Sequence, residues 1–129
     1  GSEMCIRDRG IRWRIWLPAA GGMTAAVSQI RQRMPYPMAI EVETVSLDQV
    51  SEALACEVDI IMLDNMDTGT MGKAVQRIRA ARPLVKIEAS GNVTLERLQE
   101  IAATGVDYIS SSAPITRSAW LDLSMRLVG

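Results

Sequence analysis

Residues 45–61 read VSLDQVSEALACEVDII, and residues 93–109 read VTLERLQEIAATGVDYI. Laid on one another without a gap, they share seven identities in seventeen positions: Val45/Val93, Leu47/Leu95, Glu52/Glu100, Ala55/Ala103, Val58/Val106, Asp59/Asp107 and Ile61/Ile109. Each copy opens with apolar residues about one helical turn apart, Leu47, Val50 and Leu54 in the first, Leu95, Leu98 and Ala102 in the second. Each then closes on a strand-like apolar run. A helix leading into a strand, reused 48 residues later, is the pattern of βα units that march around a barrel or along an open sheet.

The alternation extends outward from the repeat. Strands are predicted over 38–44 (MAIEVET), 58–63, 84–89 (LVKIEA) and 106–110 (VDYIS). One further helix is marked by Met23, Ala26, Val27 and Ile30 and stops before Pro35 and Pro37, and another by Met71, Ala74, Val75 and Ile78. Ser46 followed by Gln49 makes a capping box. Upstream of the repeat, IEVE (40–43) aligns with IEAS (87–90), after which Gly91 is an insertion with no counterpart in the first copy. The expected fold is α/β, with parallel βα repeats forming part of a TIM-like α/β barrel.

Composition bounds the rest. The chain has 129 residues, 48% of them hydrophobic, and a net charge of -1, which suits one soluble globular domain. The near-neutral balance excludes a phosphate-backbone partner of the usual kind, so no nucleic acid is expected. No apolar run approaches the ~20 residues of a membrane span, and no signal-peptide pattern is visible, which makes the expected location cytoplasmic. The two cysteines, Cys5 and Cys56, build no disulfide framework, and Cys56 reads as a small buried thiol. The opening GSEMCIRDRG lacks periodicity, and residues 1–17 are read as an appended or scrambled leader, with 18–129 a partial α/β barrel domain.

Side chains alternate along a strand, so Glu41 and Glu43 share a face, as do Ile60, Met62 and Asp64, and Lys86, Glu88 and Ser90. Val42, Ile61, Leu63, Val85, Ile87 and Ala89 then pack under the helices, which leaves the acids facing the barrel interior near the C-terminal strand ends. Ligands bind at that edge in parallel α/β folds. Converging carboxylates call for a cation, and Mg²⁺ with an oxygen-rich ligand is the natural counterpart. The plainer reading is that Lys86 neutralises one glutamate and that Asp64 or Asn65 only caps the next helix. Two loops favour phosphate. Ser90-Gly91-Asn92 lies between a strand and a helix start, where backbone N–H groups and the positive helix end favour an anion. Ser110-Ser111-Ser112-Ala113 follows the last clear strand.

The strings AIEVET, DIIMLDNM, IEASGNVT, TGVDYISSSA and LDLSMR, in this order, resemble the C-terminal barrel domain of the quinolinate phosphoribosyltransferases over roughly residues 19–127. The resemblance implies phosphoribosyl transfer from phosphoribosyl pyrophosphate to quinolinate, with Mg²⁺ and loss of carbon dioxide, giving nicotinate mononucleotide for NAD biosynthesis. It implies that Glu43 and Asp64 contact the ribose hydroxyls and the metal-bound donor. It assigns Ser90, Gly91 and Asn92 to one phosphate loop and Ser111, Ser112 and Ala113 to the other, although many members have glycine where Ser112 stands. It also implies a homo-oligomeric parent enzyme, a dimer, whose N-terminal quinolinate-binding domain is missing here.

The chain departs from the family in two places. Where a Lys-Asp-Asn-His type motif is expected, it has Trp13-Arg14-Ile15-Trp16, so that Arg14 is the candidate to replace the lysine, and the chain contains no histidine. Another family histidine falls near Thr116. A dianionic substrate needs fixed cations, and an acid-rich face alone repels it; the chain by itself is therefore expected to be inactive. Three other readings compete: a receiver domain phosphorylated on Asp64, another phosphate-binding barrel enzyme, and a scaffold or dimerisation domain without chemistry.

Overall fold

The structure, a computed structural model, describes residues 2–7, 10–16, 22–34, 38–111, 114–116, 119–120 and 123–126. The elements run β1 (Ser2–Arg7), β2 (Gly10–Trp16), α1 (Met23–Arg33), β3 (Ala39–Thr44), α2 (Leu47–Leu54), β4 (Ile60–Asp64), α3 (Thr68–Ala81), β5 (Lys86–Ser90), α4 (Leu95–Ala103), β6 (Tyr108–Ser111), β7 (Pro114–Thr116), β8 (Ala119–Trp120) and β9 (Leu123–Arg126). Seven strands form one sheet in the order β1-β2-β3-β4-β5-β6-β9, and β7 pairs with β8 apart from it. Strands β2 to β6 are mutually parallel, while β1 and β9 close the two edges in antiparallel fashion.

Sequential strand order with one helix between each parallel strand and the next is barrel-type winding, and the helices show which side they take. Met23 and Val27 of α1, Val50 and Ala53 of α2, Met71, Ala74, Val75 and Ile78 of α3 and Ile101 of α4 share one core with Ile15, Ile40, Val42, Ile61, Leu63, Ile87, Ala89 and Ile109 of the sheet. Those strand residues have a single parity, so every helix lies on the same face. A receiver domain folds its helices onto both faces of a sheet whose strand order is not sequential; this topology rules that alternative out. The sheet is not closed on itself.

The helix starts obey local chemistry. The Ser46 side chain accepts from Gln49 N, and Gln49 Oε1 reaches back to Val45 N at 2.8 Å, which completes the expected capping box one residue early. Thr94 caps α4 in the same way through Arg97 N. Cys56 is buried, its thiol donating to Glu52 O at 3.2 Å.

Residues 2–7 and 10–16, within the stretch read as an appended or scrambled leader, form β1 and β2, and β2 joins the parallel sheet with Arg14 opposite Glu41 and Trp16 opposite Glu43. The strands β4 and β6 begin two residues later than predicted, because Asp59 and Asp107 are used for another purpose. Asp59 Oδ2 accepts from Ile40 N at 2.8 Å and Arg31 Nη2 at 2.9 Å, and Asp107 Oδ2 accepts from Ile87 N at 2.9 Å and Arg79 Nη2 at 2.7 Å. The same clip thus recurs in both copies of the repeat, joining each helix end to the start of the strands that follow it.

Candidate functional site

The face of the sheet away from the helices carries Arg12, Arg14 and Trp16 on β2, Glu41 and Glu43 on β3, Met62 and Asp64 on β4, Glu88 and Ser90 on β5, and Ser110 on β6. These residues fall into two layers with different surroundings. In the deeper layer, Glu41 and Glu88 are fully buried. Arg12 bridges them, with Nε 3.4 Å from Glu41 Oε2 and Nη1 3.4 Å from Glu88 Oε2, and Arg14 Nε donates to Glu41 Oε2 at 3.2 Å. Ser110 donates to Glu88 Oε1. Two carboxylates and two guanidiniums compensate one another here, as buried charges must.

Burial is the main force on Glu41, and a hydrogen bond and repulsion from Glu88 add to it. Together they raise its pKa from 4.5 to about 7 against the pull of Arg12 and Arg14. Among the described residues, its Oε1 has no hydrogen-bond partner. Lys86, which the plainer reading had neutralising a glutamate, is exposed. The compensating cations come from β2.

The upper layer lies at the rim. Glu43, Asp64 and Ser90 are each partly exposed, with Glu43 in register with Met62 and Asp64 in register with Ser90. The structure therefore sorts the candidate acids: Glu41 and Glu88 belong to an internal ion-pair group, and Glu43 and Asp64 stand on adjacent strands near solvent. Asp64 is not spent on capping. The N-cap of α3 is Asp67, which accepts from both the amide and the hydroxyl of Thr70 at 2.8 Å and is held below its ordinary pKa by those bonds. Between the start of α2 and the loop after β4 opens a cleft of about 390 Å³, lined by residues 45–48, 65–67 and Thr70.

The Ser90-Gly91-Asn92 loop packs directly on Asn65. Asn65 adopts a left-handed backbone with φ 51°, and Gly91 has φ 127°. Asn65 N donates to Ser90 O at 2.9 Å, and Asn65 Oδ1 accepts from Asn92 N at 3.3 Å. The Asn92 amide, expected to be available to an anion, is thus engaged by Asn65. Across the rim, Ser111 is partly buried at the end of β6, while Ser112 and Ala113 lie outside the described residues, as does the side chain of Thr116. Arg14 is held by Glu41, one layer beneath Glu43 and Asp64, and so does not reach the rim as a free cation.

Sequence reasoning missed Arg12 and Arg97, and it read Asn65 only as a possible cap and Ser110 only as part of a phosphate loop, whereas Asn65 Oδ1 accepts from Asn92 N and Ser110 donates to Glu88. Of these, Asn65 had a usable signal, since Asn tolerates the left-handed region and stands directly after a strand. Among the described residues, no three His, Cys, Asp or Glu side chains gather as a metal-holding group. None of the described helices is long and apolar enough to cross a membrane.

The family description "Quinolinate phosphoribosyl transferase, C-terminal domain" matches residues 15–126. The chain is 65% identical over 112 residues to a probable nicotinate-nucleotide pyrophosphorylase (carboxylating) of Synechocystis, covering 87% of this chain and 38% of that relative. Among solved structures, the nicotinate-nucleotide pyrophosphorylase of Francisella tularensis superposes with TM-score 0.64 at 34% identity, over 76% of this chain and 34% of that one. NadC from Streptococcus pyogenes superposes with TM-score 0.68 at 32% identity, over 87% and 40% respectively. The chain thus spans about 38% of the length of the cyanobacterial relative. Strand order and a one-sided helix layer agree with these likenesses, and the chain belongs to the quinolinate phosphoribosyltransferase family through its C-terminal domain.

Proposed function

We propose that this chain is the ribose- and phosphate-holding part of a carboxylating nicotinate-nucleotide pyrophosphorylase. The full protein would transfer phosphoribose from phosphoribosyl pyrophosphate to quinolinate, with loss of pyrophosphate and carbon dioxide, to give nicotinate mononucleotide for NAD biosynthesis. The observation that carries this reading is the rim itself: Asp67 takes over the capping of α3, which leaves Asp64 beside the Ser90-Gly91 loop and one strand from Glu43.

In this reading Glu43 and Asp64 hold the ribose hydroxyls and face the sugar as pyrophosphate departs. Departure leaves oxocarbenium character on the anomeric carbon, and fixed carboxylates stabilise positive charge without reorganising at the moment of reaction. Ser90, Gly91 and Asn92 on one side, and Ser111, Ser112 and Ala113 on the other, bracket the phosphate groups. Two partly exposed carboxylates suit Mg²⁺, which keeps several waters and takes its remaining oxygens from substrate phosphates. Glu43 and Asp64 are the residues to hold it, and when bound it would neutralise the charge of the pyrophosphate. The cations that grip the quinolinate carboxylates are not supplied by Arg12 or Arg14, both of which face Glu41. The parent enzyme is read as a cytoplasmic homodimer.

Calorimetry tests the reading. The chain is expected to bind phosphoribosyl pyrophosphate in the presence of Mg²⁺, with Asp64→Asn and Glu43→Gln each weakening it about tenfold or more. Incubation with quinolinate, donor and Mg²⁺ is expected to yield no nicotinate mononucleotide from this chain alone. Binding of ribose 5-phosphate equal to that of the donor, with or without the metal, would instead indicate a different phosphate-binding barrel enzyme.

A further inference from the structure

The two loops at the rim do not merely lie side by side; they are tied at both ends. Asn65 N donates to Ser90 O and Asn65 Oδ1 accepts from Asn92 N, while Arg97, in the first turn of α4, donates from Nη1 to Asn92 O at 3.0 Å and from Nη2 to Met66 O at 3.3 Å. One guanidinium fork therefore spans the carbonyls of both loops, a geometry that a single ammonium cannot reproduce. The fit against Asn65 is close. A Cβ on Gly91 would stand 2.3 Å from Asn65 Oδ1 and 2.9 Å from its Cγ, so the inserted glycine is what lets the loop settle against this side chain.

We infer that Asn65 and Arg97 are positioning residues that preset the Ser90-Gly91-Asn92 loop for an anionic phosphate group and fix it relative to Asp64. The inference rests on the phosphate-loop reading above and deepens it. Neither residue needs to touch the ligand. Asn65 follows Asp64 directly, so the peptide that carries the rim carboxylate also anchors the loop. A loop held in its binding conformation before the ligand arrives loses less ordering entropy on binding.

The test is titration of the ¹⁵N-labelled chain with inorganic phosphate, followed through the amide resonances of Gly91 and Asn92. In the unsubstituted chain these resonances are expected to shift in a saturable way. Asn65→Gly keeps the left-handed backbone but loses the side-chain tie, and Arg97→Lys keeps the charge but loses the fork. Each is expected to bind phosphate about fivefold more weakly. Arg97→Lys keeps the charge and the helix propensity at that position, so it answers the question even where Asn65→Gly does not fold. Affinity in Arg97→Lys equal to that of the unsubstituted chain overturns the positioning role and leaves the phosphate loop standing. Absence of any shift at Gly91 and Asn92 in the unsubstituted chain overturns both.

Discussion

Glu41 has no exposure, sits between Arg12, Arg14 and Glu88, and titrates near neutrality. Its folded pKa of about 7 lies above the ordinary 4.5, so between those values the folded chain holds a proton that the unfolded chain has lost. The stabilisation this provides is complete below about pH 4.5 and is lost as pH rises through 7. Glu41→Gln should therefore lose less stability than the unsubstituted chain between pH 5 and pH 8, as read by urea midpoints; parallel curves would show that Glu41 does not titrate there. Gly91 sets a second expectation. With φ at 127° and Asn65 in the way of a Cβ, Gly91→Ala should cost about 1–3 kcal/mol in chemical denaturation. A midpoint unchanged by that substitution would mean that the loop rearranges freely.

The clips between helix ends and strand starts explain why Asp59 and Asp107 are among the identities of the internal repeat. Each aspartate serves a backbone amide and an arginine at once, Arg31 in the first copy and Arg79 in the second, and each arginine also donates to backbone carbonyls, Glu57 O at 2.8 Å and Gly105 O at 3.3 Å. These are N-terminal strand ends, the side of a parallel α/β sheet concerned with stability rather than chemistry. The side chains of these ion pairs are between 26% and 46% exposed, which limits their strength. A double-mutant cycle on Arg79 and Asp107 should give a coupling of about 1 kcal/mol, with Mg²⁺ and donor binding unaffected. Loss of binding in Asp107→Asn would place the clip in the site and contradict this division of labour. Ser46→Ala should remove about 1 kcal/mol by uncapping α2.

The sheet ends in β1 and β9, and its edges are not joined to one another. Edge strands expose a row of backbone donors and acceptors that invite pairing with another copy. Concentration-dependent association is accordingly expected in sedimentation velocity; a monomer at every concentration with a sharp cooperative melt would argue that the edges are adequately protected.

Much of this organisation was legible beforehand. The repeat led to βα units, apolar spacing to the buried helix faces, and strand parity to Glu43 and Asp64 on the face away from the helices, because helix and strand periodicities are local and burial follows them. The caps were equally local, each formed by residues three apart. The structure alone decided which cation meets which acid. Arg12 reaches Glu88 across 76 residues, through the register of β2 on β3, β4 and β5. Arg12 and Arg14 of β2 thereby supply the counter-charge for the buried glutamates, and Lys86, nearest in sequence to Glu88, faces solvent. Asn65 and Asn92 likewise meet across 27 residues only because adjacent strands end side by side. Hydrophobic periodicity is written within one turn or one strand, whereas charge pairing and loop-to-loop contact depend on sheet register, which is set only when the whole sheet assembles.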